Sequence, residues 1–144
     1  MYTEFLLLHN ILRWLILLGL VTTLIRYLVG WLDNQVWKKS DHLLGVVITW
    51  MMYLQLITGL VLYFFLSRLT KMAFADFSAA MKDDNLRFYA VEHISLMVIA
   101  VALVHMGWVK SKKAKTDLSK FKTASIFYLI ALMVIFAAIP WGRL

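Results

Sequence analysis

Four apolar runs, residues 5–28, 41–66, 88–109 and 123–139, occupy most of a 144-residue chain. Each is about as long as a helix must be to cross the hydrocarbon core of a bilayer. In that core no water is present to satisfy backbone N–H and C=O groups, so an isolated apolar run has to bond its own backbone, which only a helix does. The runs therefore predict an all-α, four-helix transmembrane bundle forming one integral membrane domain over residues 1–144. Composition agrees: 62% of residues are hydrophobic and 16% charged, against about a quarter charged in ordinary soluble domains. Mean hydropathy is +0.78. The first run reads as mature structure and not a secretion leader, since no basic segment precedes it, Arg13 interrupts it and no small-residue cleavage site follows.

The connections set the topology. Segments 29–40 and 110–122 are short and polar, too short to hold a further domain, and predict antiparallel neighbouring helices in an up-down-up-down order. Segment 67–87 is longer. Met72, Phe74, Phe77 and Met81 recur there at near-helical spacing among Lys71, Asp76 and Lys82, which predicts a surface helix over about 71–82. Ser40 and Asp41 offer capping oxygens to the second span, Asp83, Asp84 and Asn85 to the third, and Pro140 closes the fourth.

The net charge of +7 reflects cations placed in the connections and not an aromatic-interleaved basic surface, so nucleic acid is not an expected partner. Arg26, Lys38, Lys39, Lys110, Lys112, Lys113, Lys115, Lys120 and Lys122, nine in all, lie on the side of the first and third connections. Arg68, Lys71, Lys82, Arg87 and Arg143, five in all, lie opposite. The positive-inside rule then puts the nine at the cytoplasm and both termini on the other side, as expected for a multi-pass protein of a bacterial inner membrane. The lysine cluster reads mainly as this retention signal, with acidic-lipid contact as a secondary role.

Ionisable and polar groups inside the runs are costly and demand a reason. They are His9, Asn10, Arg13, Glu92, His93 and His105, with His42 at an edge. Helix alternation brings His9 and His93 toward one face of the membrane and His42 and His105 toward the other. At about 1.5 Å rise per residue, His9 and His93 lie roughly 6 Å and 7.5 Å inside their runs, an equal depth on two helices. Two imidazoles at one level on facing helices are the arrangement a b-type haem needs. The competing reading is a pair of interhelical hydrogen-bonding histidines. The inner pair, His42 and His105, is less well matched in depth. His93 and His105 also point about 120° apart on one helix, so a second haem on that pair needs a partner helix on a different side. Zero cysteines exclude disulfides, thiolate metal sites and covalent haem attachment, so any haem here is b-type.

Arg13 follows His9 by one turn and shares its face. It reads as an ion-pair partner of Glu92, as the counter-charge of a haem propionate, or as a hydrogen-bond donor to a quinone carbonyl. Gly19, Gly45, Gly59 and Gly107 allow either close helix contact or room for the edge of a macrocycle. Met97, Ala100 and Val104 continue the face of His93, and Gly45 and Thr49 that of His42. The fourth run, with no histidine, is assigned to packing.

The segments 9–14 (His-Asn-Ile-Leu-Arg-Trp), 81–93 (Met-Lys-Asp-Asp-Asn-Leu-Arg-Phe-Tyr-Ala-Val-Glu-His) and 138–141 (Ala-Ile-Pro-Trp) resemble a group of small bacterial four-helix membrane proteins commonly labelled cytochrome B. The resemblance spans nearly the whole length. It implies a haem-containing inner-membrane protein and carries over His9, Arg13, Glu92 and His93, while His42 has no place in that pattern. The expected function is a membrane b-type cytochrome that passes electrons between quinol and a redox partner or respiratory complex, an electron-transfer protein more than a stand-alone enzyme. One haem is expected on His9 and His93, with a second on His42 and His105 as the larger case. The alternatives are a non-redox accessory or structural subunit of a larger membrane complex, or a small ligand carrier. The second is disfavoured by the lack of inverted repeats and of broken spans. Glycine-rich phosphate loops, nucleophile elbows and H-E-x-x-H motifs are absent from the sequence.

Overall fold

A computed structural model describes residues 1–143, with Arg143 described in its backbone alone. Leu144 and the Arg143 side chain, the latter counted among the cations above, lie outside the described residues. Four rods dominate: α1 (Tyr2–Leu32), α2 (Lys39–Val61), α6 (His93–Lys113) and α7 (Asp117–Ala138). Between α2 and α6 lie three short helices, α3 (Arg68–Ala75), α4 (Phe77–Ala80) and α5 (Asp84–Arg87). A π turn, Leu62–Leu66, extends α2, and a second, Phe88–Glu92, joins α5 to α6. The resulting rods Tyr2–Leu32, Lys39–Leu66, Asp84–Lys113 and Asp117–Ala138 are all long and apolar enough to cross a membrane. They form the expected four-helix bundle, each rod outrunning its apolar run at one end or both, the last beginning ahead of its run and stopping one residue short at its far end.

α1 packs on α2 and α7, and α6 packs on α2 and α7, so α1 and α6 stand diagonally across the bundle. Neighbours run antiparallel. The start of α1 meets the end of α2 where Gln55 donates to the His9 carbonyl (3.0 Å), and the start of α6 meets the end of α7 where His93 bonds the Ala138 carbonyl. At the other end, the Tyr27 hydroxyl donates to the Asp41 carbonyl (2.7 Å) and Ser111 donates to the Lys120 carbonyl (2.9 Å). Outward faces carry exposed Leu18, Ile25, Trp50, Ile57 and Met133, the side chains a lipid-facing surface calls for.

The end of the bundle holding Asp41 is densely packed. Tyr27, Phe121 and Tyr128 are almost fully buried, and Trp37 stacks obliquely on Phe121 with ring centres 4.9 Å apart. Helices α6 and α7 approach closely at Gly107, where an added Cβ would stand 2.7 Å from the Phe127 Cβ. Arg26 Nε and Nη2 fork onto the two oxygens of Asp41, at 2.8 and 3.1 Å, and Nη1 also donates to Gln35. Asp41 is 1% exposed and accepts the Lys38 backbone N–H as well (2.9 Å). Asp41 thus supplies a capping oxygen, as expected from sequence, but does so from the third residue of its helix: its carboxylate reaches back to the Lys38 N–H and across to Arg26.

The linker departs from the single expected surface helix. Asp76 breaks it, and its carboxylate caps α4 through the Ala79 N–H (3.1 Å), so the segment divides into α3 and α4. Ala73 and Ala80 pack on Ala90 while Met72, Phe74 and Phe77 stay exposed. Asp83 caps α5 as expected, accepting the N–H groups of Asn85 and Leu86 (both 2.9 Å). The π turns leave backbone carbonyls to be satisfied by side chains. The Tyr63 hydroxyl, in the first turn, donates to the Ala90 carbonyl in the second (2.6 Å), and Thr70 donates to the Tyr63 carbonyl (2.7 Å). These two bonds clasp α2, α3 and the start of α6 at the end of the bundle that holds His9 and His93.

Candidate functional site

At that end the bundle is not filled. A cavity of about 500 Å³ opens among α1, α2, α6 and the end of α7, within the range of small-molecule and cofactor sites. His9, Arg13, Gln55, Tyr63, Tyr89 and His93 supply its polar lining, with Asn10, Ser67 and Thr70, and apolar side chains such as Met52, Met97 and Ile135 make up most of the rest. It exists because α1 and α6 are diagonal and scarcely touch.

His9 and His93 meet across it, as their equal depth predicted. Their ring centres are 6.4 Å apart and the ring planes cross at 69°. Each ring is held through Nδ1. The Ala138 carbonyl can only accept, so His93 Nδ1 carries the proton and donates to it (2.8 Å). The Thr58 hydroxyl donates its single proton to the Gln55 carbonyl (2.9 Å), so it accepts from His9 Nδ1–H at 3.2 Å. Both imidazoles are thereby the Nδ1–H tautomer, which leaves an Nε2 lone pair on each. Oxygen acceptors on Nδ1 are the usual supports of metal-binding histidines. The Gln55 amide nitrogen is 3.4 Å from His9 Nε2 and competes for its lone pair. Gly59 stands beside His9: a Cβ there would come within 3.1 Å of its Cε1.

Arg13 lines the same cavity, one turn along α1 from His9. It does not pair with Glu92. Glu92 accepts from Arg87 Nε (2.8 Å) and is 43% exposed, outside the cavity lining. The reason is local: the second π turn turns Glu92 toward Arg87, which Asp84 also holds at 2.8 Å. The Arg13 guanidinium instead lies 5.1 Å from the Trp14 ring centre, and among the described residues its buried Nε has no acceptor.

His42 and His105 are not at this site. His42 is exposed at the start of α2, and His105 is exposed on α6, where it hydrogen-bonds the Tyr53 hydroxyl; neither lines the cavity. Met97 does line it, and Ala100 and Val104 are buried along the same face. Thr58, Gln55, Tyr63 and the Ala138 carbonyl were missed by sequence reasoning. Thr58 and Gln55 had a usable signal, being polar residues within an apolar run on the stretch that antiparallel pairing sets against His9.

No protein-family model, characterised protein or solved structure matches this chain.

Proposed function

We propose that the chain is a b-type cytochrome of a bacterial inner membrane, in which His9 and His93 hold one haem, and that it passes electrons between quinol and a redox partner. The observation that carries this reading is the pair of Nδ1-anchored imidazoles that meet across a largely apolar cavity. Two imidazole nitrogens sharing one metal at about 2 Å each bring their ring centres to roughly 6 Å, and the observed separation is 6.4 Å. The donor set fits: two neutral nitrogens suit haem iron, and the apolar walls suit a macrocycle. When bound, haem b supplies one-electron chemistry. The residues of the chain orient the imidazoles through Thr58 and Ala138, keep water away with Met52, Met97 and Ile135, and leave room at Gly59.

The charge asymmetry of the connections supports placing the densely packed end at the cytoplasm and the cavity in the outer half of the membrane. The test is a dithionite-reduced minus oxidised spectrum of the purified protein, with haem counted as its pyridine complex. One haem per chain is expected. Replacing either His9 or His93 by Ala is expected to abolish it while the protein still inserts. Two haems per chain would call for a second site, for which His42 and His105 are the remaining histidines. Colourless protein made with ample haem, or His93→Ala with full haem, overturns the reading in favour of an accessory subunit.

A further inference from the structure

Arg13 poses a separate problem of charge. It lies eleven residues into α1, about 16 Å along a rod that spans the membrane. A guanidinium at such depth is costly unless it is paired. Among the described residues, however, no aspartate or glutamate lines the cavity. Of the carboxylates at the membrane-spanning rods, Asp41 pairs with Arg26, Asp84 and Glu92 with Arg87, and Glu4 with the amino terminus, while Asp33 and Asp117 stand at the far end of the bundle, at the end of α1 and the start of α7. The Trp14 ring offers a cation–π contact at 5.1 Å, which does nothing for the Nε proton, since Nε is buried and lacks an acceptor. Among the described residues no counter-charge meets it, and the open cavity beside it is where a ligand can bring one.

We propose that Arg13 is the anion-recognition residue of the cavity and that it pairs with a carboxylate borne by the ligand. This rests on the haem reading, where that carboxylate is a propionate. Arg13 stands one helical turn from His9 on the same face, roughly 6 Å along the axis. It therefore meets the rim, and not the centre, of a group held between His9 and His93. Besides the two imidazoles, the other polar groups of the described lining are amides and hydroxyls, so Arg13 is the residue there that brings a fixed charge. A guanidinium suits a carboxylate better than an ammonium does because its planar fork bonds both oxygens.

The experiment is a Soret titration of haem-depleted protein in detergent with two probes, ferric protoporphyrin IX and its dimethyl ester, in the natural protein and in Arg13→Gln. The natural protein is expected to bind the free acid at least about tenfold more tightly than the ester. Arg13→Gln is expected to lose that preference while binding the ester as before, which also reports an intact cavity. Arg13→Lys keeps part of the preference. Equal binding of both probes by the natural protein, with a two-imidazole spectrum, overturns the Arg13 assignment alone. So does a preference that survives in Arg13→Gln. Failure of both probes to give that spectrum in the natural protein overturns this inference and the haem reading together.

Discussion

Thr58 is a single hydroxyl on which the orientation of His9 depends. Its proton goes to the Gln55 carbonyl and its lone pair to His9 Nδ1, so the pair of bonds fixes both the ring and its tautomer. Thr58 is 3% exposed. Replacing it by Val preserves shape and removes the acceptor, which leaves His9 free to turn and to present the wrong nitrogen. Loss of such a supporting hydrogen bond typically costs 10–100-fold in metal affinity. Thr58→Val is therefore expected to bind haem more weakly by about that factor, in the same Soret titration, with the helical content unchanged by circular dichroism. Unaltered affinity would mean that Gln55 and packing alone orient the ring. At this scale legibility was uneven. The histidines and Arg13 stood out because hydrocarbon penalises them. Arg26 and Asp41 did not, because each sits near a loop where a charge needs no explanation, and only the packed structure shows that they are a forked, half-buried pair.

The rods themselves were legible because length and hydropathy decide them, whatever the packing. Their joints were not. The two π turns arise from one extra residue in each ladder, a detail that apolar periodicity does not register, and they redirect Glu92 away from Arg13 and toward Arg87. The split between α3 and α4 likewise follows from the capping preference of Asp76, which outweighs a continuous apolar stripe. Close approach between rods is a property of the same kind. At Gly107 an added methyl group would stand 2.7 Å from the Phe127 Cβ, an atom fixed to the α7 backbone that cannot swing aside. Helix propensity favours Ala over Gly by up to about 1 kcal/mol, but overpacking costs about 1–3 kcal/mol, and here the neighbour has no rotamer to yield. Gly107→Ala is expected to lower stability by about 1–2 kcal/mol, read as an earlier unfolding midpoint in detergent. Haem affinity is expected to stay as it was, since Gly107 lies at the packed end and not in the lining.

The whole molecule is divided along its length. One end is a dense aromatic knot tied by Arg26 and Asp41; the other is an open cavity with two imidazoles and an unpaired guanidinium. On the proposed haem reading such a division gives the protein a sidedness, because a cofactor in one half reaches partners on one face of the membrane more readily than on the other. The sign of that sidedness follows from the connections: the packed end carries the lysines of segment 110–122, and the cavity end carries the α3–α4 linker with its exposed Met72, Phe74 and Phe77. The positive-inside rule then predicts that the linker faces outward. The absence of cysteine from the sequence makes the test clean, since any introduced thiol is the only one. Ser78→Cys lies in α4 and Lys115→Cys in the α6–α7 connection, both at exposed positions. In intact spheroplasts a membrane-impermeant maleimide is expected to label Ser78→Cys and to spare Lys115→Cys until the membrane is opened. The reverse pattern would put the cavity in the cytoplasmic half, where the electron partner of His9 and His93 would have to be sought among cytoplasmic proteins.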